Sequence, residues 1–272
     1  MLEIDIFFII SLLLFFTGFI SGILSGFFGI GGGIIIVPVI YHLFNFLDFS
    51  ENISMHMAIG TSLATIILAS LNSVIEHKKR SCVDISLLDK WKYTILFGSL
   101  FGAVLAQLIE GKVLIILFAF FSFFVAIRMV FNKPYSNKTY NFLKSIQKII
   151  SFLIGTVSSL LGIGGGTLSV PLLLSCGRNI KKAVGTSSGI GFFISLPAAL
   201  IFLLAGLHIE DRPQYSIGFI SIIPFFLITL GTYVSVPMGV KIMHNFNNML
   251  IKRFFCLILL ISALKMLRDL TV

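Results

Sequence analysis

Residues 29–38 read GIGGGIIIVP, and residues 162–171 read GIGGGTLSVP. Each run of glycines is expensive inside a helix, at about 1 kcal/mol per glycine relative to alanine. Each cluster is therefore expected to end one helix and start another. Pro38 and Pro171 fall in the first turns of the helix that follows, where a proline bends it or opens a further gap. The next segments also match: Ala58-Ile59-Gly60-Thr61-Ser62 against Ala183-Val184-Gly185-Thr186-Ser187. A weaker third match sets Gly98-Ser99 against Gly231-Thr232. The order is the same in both parts of the chain, which is the mark of an internal duplication.

What surrounds these motifs is apolar. Of 272 residues, 57% are hydrophobic and only 11% charged, where a soluble domain carries about a quarter charged residues. A soluble globular protein, a disordered chain and a nucleic-acid-binding domain are excluded on composition. Apolar segments fall at 5–28, 33–46, 56–76, 92–109, 112–131, 147–162, 164–176, 182–206, 216–239 and 250–269. A spanning helix needs about 20 apolar residues, so the second and seventh segments are short for a full crossing. Glu3 and Asp5 flank the first segment where a signal peptide would carry basic residues, so this segment is expected to be retained. Cys82, Cys176 and Cys256 have no CxxC spacing, and neither a disulfide nor a zinc site is expected.

The fold class expected is all-α: a polytopic membrane helical bundle of two inverted repeats, each with a glycine-broken hairpin, with about 8–10 membrane segments in all. The first repeat covers residues 1–131, a hydrophilic cytoplasmic linker 132–148, and the second repeat 149–272. Inversion follows from charge. The net +9 gathers at His77–Arg80, the linker, Arg178 with Lys181 and Lys182, and Lys241 through Arg253. The N-terminus, Asp48–Glu51, Glu110–Lys112 and His208–Arg212 are poor in basic residues or acidic. Placing the basic loops inside puts the N-terminus outside. Five segments per repeat then turn the second repeat over. Lys265 and Arg268, near the expected outside end, run against this rule.

Inverted repeats with broken helices place a transporter's site at the repeat interface. A break frees backbone N–H groups that lipid cannot satisfy, and the helix that restarts offers partial positive charge. The candidate substrate-binding residues are accordingly Gly31, Gly32, Gly33, Pro38, Gly60, Thr61 and Ser62, with Gly164, Gly165, Gly166, Pro171, Gly185, Thr186 and Ser187. The glycines let a ligand reach the backbone, and the hydroxyls donate hydrogen bonds without adding charge. The competing reading makes the glycines a close helix crossing and the hydroxyls interhelical or back-bonding groups. Asn72 and Gln107 read as packing residues. Glu76, Glu110 and Arg128 sit at helix ends, where long side chains snorkel. His56 reads as interfacial. With no carboxylate at membrane depth, the site favours an anion over a cation.

Gly185–Gly189 fits G-x-S-x-G, but it lies in an apolar helical run and lacks the strand–turn–helix setting of a nucleophile elbow. No Lys follows either glycine cluster as in a phosphate loop. No enzyme activity, catalytic residue, cofactor or metal is expected.

The paired GIGGGxxxVP motifs, each followed by GTS, resemble the TauE/SafE family of sulfite and organosulfonate exporters, the toluene sulfonate uptake permease group. The resemblance runs over essentially the whole chain. It implies a plasma-membrane transporter of sulfur-containing anions with about eight helices by hydropathy. It points to Gly31, Gly32, Gly33, Pro38, Gly60 and Thr61 and to their counterparts Gly164, Gly165, Gly166, Pro171, Gly185 and Thr186. The third element departs from symmetry: Gly98-x-x-x-Gly102 faces Gly231-x-x-x-Ser235, followed by Pro237.

The reading is a multi-pass inner (plasma) membrane transporter moving a small sulfur-containing oxyanion by alternating access of two inverted halves. The alternative is an uncoupled channel or uniporter for another small anion, and more distantly a membrane-embedded enzyme or a structural subunit. Expected partners are the small anionic substrate and the lipid bilayer, with no nucleic acid. Exposed small residues are compatible with a homodimer.

Overall fold

The computed structural model describes residues 2–130, 146–176, 178–245, 257 and 260–268. Most of the expected linker, and much of the segment expected at 250–269, lie outside these residues. Helix dominates what is described. The elements are α1 (Leu2–Phe28), α2 (Gly33–Phe46), α3 (Glu51–Lys78), α4 (Ile85–Gln107), α5 (Gly111–Val130), α6 (Gln147–Leu160), α7 (Gly166–Ser175), α8 (Ile180–Ala205) and α9 (Ile222–Asn245). Residues 260–268 are again helical. Among the described residues, Phe7–Phe28, Glu51–Lys78, Ile180–His208 and Ile222–Asn245 are long and apolar enough to cross a membrane. Gly33–Phe46, Gly111–Ile127 and Gln147–Leu160 are shorter apolar helices. Phenylalanines and leucines stand exposed along the outside, Phe8, Phe97, Phe120 and Leu264 among them. A bundle that meets lipid rather than water carries its apolar residues this way.

Two parallel helix pairs form the flanks. In one, α1 lies along α9; in the other, α6 lies along α4. Both seams are lined by small residues. A side chain at Gly231 would strike the Phe15 carbonyl, and one at Gly98 would strike the Phe152 carbonyl. Small residues let helix backbones meet closely where lipid supplies no hydrophobic drive to associate. Between the flanks, α3 and α8 cross antiparallel. Ser73 Oγ and Ser188 Oγ are 2.8 Å apart, and near the opposite end of α3 the His56 and Phe202 rings are 6.3 Å apart.

The helix starts follow side-chain capping. Ser50 caps α3 through Ile53 N–H, Asp84 caps α4 through Leu87 N–H, and Asn179 caps α8 through Lys182 N–H. Each oxygen accepts from one of the four orphan donors at a helix N-terminus. α4 thus starts at Ile85, before the apolar run expected from residue 92. The segment expected from 216 begins instead with a small antiparallel hairpin, Ser216–Ile217 against Ile220–Ser221. Gly218 supplies its turn at φ +56, and α9 starts only at Ile222. Phe219 N–H donates to the Phe202 carbonyl at 3.1 Å. That bond fastens the hairpin to the end of α8.

Candidate functional site

Both glycine clusters break the chain as expected. Gly29 and Gly162 turn it with φ of +69 and +67, a region where a side chain would crowd the backbone. The helices that restart, α2 at Gly33 and α7 at Gly166, carry no side-chain cap. α2 begins against Ser62 and Ile66, near the middle of α3. α7 begins beside the Gly29 carbonyl, and Gly165 faces Ile190 and Ile194, near the middle of α8. At about 1.5 Å per residue α2 is roughly 21 Å long and α7 roughly 15 Å, so each covers only part of a ~30 Å hydrocarbon core.

The two breaks touch. A side chain at Gly31 would lie 3.4 Å from Gly164 Cα, and one at Gly164 would strike the Ile30 carbonyl. Gly33 faces the Gly162 carbonyl and Gly166 faces the Gly29 carbonyl. These glycines are occupied by the opposite stretch's own backbone. Pro38 and Pro171 lie inside α2 and α7, and the helices continue through them.

The hydroxyls follow the same reciprocal rule. Ser62 Oγ donates to the Gly162 carbonyl at 2.8 Å, and Ser187 Oγ donates to the Gly29 carbonyl at 3.0 Å. Thr61 Oγ1 accepts from Ser221 N–H at 3.0 Å, one residue before α9. Thr186 Oγ1 accepts from Asp84 N–H at 2.9 Å, one residue before α4. Gly60 and Gly185 give room for the Phe219 and Cys82 carbonyls two residues earlier. Each GTS segment therefore holds two points of the other half: its glycine turn, and the entry to its next long helix. Four such buried bonds contribute about 1 kcal/mol each.

Other hydroxyls at the breaks are unpartnered. Ser21 Oγ lies where a Gly32 side chain would stand, beside the N-terminus of α2. Thr167 Oγ1, on the second residue of α7, is buried without a partner, as are Ser25 Oγ and Ser158 Oγ. These positions carry donors not used by the fold. The sequence pointed past Ser21, Ser25 and Ser158 because they lie on the helix before each break, in segments dominated by apolar residues.

Three further positions differ from, or add to, the sequence reading. His56 is buried within the protein near the start of α3: Nδ1 lies 2.7 Å from the Asn52 carbonyl and Nε2 3.0 Å from the Ala106 carbonyl. The helix's own start and the end of α4 enclose it. Asn72 ties α3 to α9 through the Tyr233 carbonyl at 2.9 Å. Ser187 is bonded to Gly29 and to Ser169 Oγ, which leaves no role for it as a nucleophile.

The two ends of the bundle are chemically unlike. At the basic end, Asp84 pairs with Arg178 at 2.7 Å, joining the start of α4 to the loop after α7. Just before that arginine, burial pushes the Cys176 thiol above its ordinary range. At the other end, Glu51, Asn52, Glu110, Gly111 and Lys112 line a cavity of about 390 Å³. Among the described residues, no group of three or more His, Cys, Asp or Glu side chains forms a metal site.

Long apolar helices around two short ones that meet at their uncapped starts are the build of a helical membrane transporter. The chain belongs to the TauE/SafE family: residues 14–266 match the family described as "Sulfite exporter TauE/SafE". It is 29% identical over 256 residues to a "Probable membrane transporter protein" of Haemophilus influenzae, covering 94% of this chain and 97% of that one. A protein of the same description from Methanocaldococcus jannaschii is 28% identical over 245 residues, covering 85% of each chain. "Sulfite exporter TauE/SafE family protein 6" of Arabidopsis thaliana is 30% identical over 100 residues, covering 37% of this chain and 22% of that one. No solved structure matches.

Proposed function

We propose that the protein moves a small sulfur-containing oxyanion, sulfite or an organosulfonate, across the inner membrane by alternating access of two inverted halves, with the N-terminus outside. The observation that carries this reading is the meeting of two uncapped helix N-termini at the touching glycine breaks. Helix starts with free N–H groups suit anions, and the unpartnered Ser21 and Thr167 hydroxyls lie beside them. Gly31, Gly32, Gly33, Gly164, Gly165 and Gly166 shape the site. Thr61, Ser62, Thr186, Ser187, Gly60 and Gly185 hold the two halves in register around it, and Pro38 and Pro171 complete the short helices.

The test is uptake of radiolabelled sulfite into proteoliposomes holding the purified chain. Gly165 is right-handed, and a Cβ there would stand 2.6 Å from Ile194 Cδ1 and 2.8 Å from Ile190 Cγ2, so Gly165→Val asks side chains rather than backbone to shift and narrows the site. Flux is expected to fall at least tenfold with unchanged insertion. Full flux in Gly165→Val and in Ser21→Ala would refute the glycine-break site.

A further inference from the structure

Two histidines at the basic end each keep a buried ring nitrogen that neither the fold nor the glycine breaks use. His77, in the last turn of α3, is 0% exposed. His244, in the last turn of α9, has its ring centroid 5.9 Å away. His77 Nδ1 and His244 Nε2 are both buried without a hydrogen-bond partner. The pair joins α3 to α9. His77 packs against Gly185, two residues before Ser187, and its Nε2 lies 3.0 Å from the carbonyl of Gly26, three residues before Gly29.

The charges around the pair are one-sided. Arg80, just after α3, bears electrostatically on both rings, and Lys181 of α8 bears on His244. Among the described residues, Glu76 is the one carboxylate acting on the pair, and it is already bound to Lys79. From α1 the Gly26 carbonyl reaches this point, and Lys241, one turn before His244 on α9, is exposed. Two cations thus act on a ring pair that keeps two free imidazole nitrogens.

The tautomer decides the chemistry. A carbonyl only accepts, so the Nε2 that bonds Gly26 must carry its hydrogen. In a neutral ring Nδ1 is then a bare lone pair, which an oxyanion cannot use. For His77 to hold an oxyanion through Nδ1, a proton must arrive on Nδ1.

We propose that His77 and His244, with Arg80 and Lys181, form an oxyanion subsite that takes up one proton onto His77 Nδ1 with each anion bound. The proton comes from solvent on binding and returns to it on release, so no other bond changes. This inference rests on the anion-transport reading and gives it a coupling group. In the sequence His77 stands in the basic run His77–Arg80, where nothing sets it apart from an interfacial loop residue.

Isothermal titration of the purified full chain with methanesulfonate tests it, in two buffers of different ionisation enthalpy at one pH. Methanesulfonate keeps its charge across the working range, so any proton counted belongs to the protein. About one proton is expected per anion bound. His77→Gln keeps the donor to Gly26 and should bind without proton uptake, at unchanged melting temperature. His244→Gln should weaken binding about tenfold, as loss of a charge-assisted bond does. Binding by the wild type without proton uptake overturns this inference and leaves the anion reading standing. Equal proton uptake in wild type and His77→Gln also overturns it. No binding of methanesulfonate or sulfite to the wild type overturns both.

Discussion

The stretches 29–38 and 162–171 share seven of their ten residues yet do not build the same surface. Gly32 is left-handed at φ 84, and Gly165, its counterpart, is right-handed at φ −57. Ser21 of α1 fills the space beside Gly32, whereas the side chains of Ile190 and Ile194 from α8 face Gly165. The hydroxyl near the start of α2 is therefore borrowed from another helix, while α7 brings its own in Thr167, where α2 has Ile34. The shared residues make the crossing. The unshared ones make the two helix starts chemically unequal.

The largest expected effect lies in the shared part. Gly33→Leu and Gly166→Leu each drive a side chain into a carbonyl of the opposite turn. The loss should reach or exceed the ~1–3 kcal/mol of ordinary overpacking. Size-exclusion profiles of the detergent-extracted protein should show aggregation for both; a monodisperse, wild-type-like Gly33→Leu would break the account of the crossing. Gly32→Ala comes next, at about 1–2 kcal/mol for a left-handed residue, with added crowding against Ser21. Gly165→Ala should cost clearly less. Comparing the two melting temperatures sharpens the contrast, and equal losses would erase it.

Smaller effects separate the serines. Ser62→Ala should remove about 1 kcal/mol of stability. Ser187→Ala should remove more, since it also strands Ser169 Oγ. A thermal-shift series on the two variants reads the order directly. The smallest effect belongs to the ends of the bundle. Arg178→Ala should cost only about 0.5–1 kcal/mol, because Arg178 is 40% exposed and such pairs are screened. The difference from wild type should shrink as salt is raised; a salt-independent loss would mean that packing, not charge, holds that loop.

The membrane class, the two helix breaks and the repeated motifs could be read from residue types alone. Composition sets the solvent a chain can live in, and three adjacent glycines weaken a helix wherever they occur. Helix boundaries were less legible. Asp84 starts α4 in a polar turn, and Ser216–Ser221 forms a hairpin inside an apolar run, because capping and pairing depend on neighbours rather than on hydropathy. The roles of Thr61, Ser62, Thr186 and Ser187 were legible only as alternatives. A buried hydroxyl bonds to whatever stands opposite, and what stands opposite each is a backbone group more than a hundred residues away or nearly so.

The sequence by itself determined that this chain lives in a bilayer, breaks its helices twice at matching places, and carries few charges at depth. Those properties are local and additive over residues. Only the tertiary structure decided that the two breaks touch, that each half holds the other's turns, and that His77 meets His244. Those are distances between segments far apart in the chain, and only the packed fold sets them.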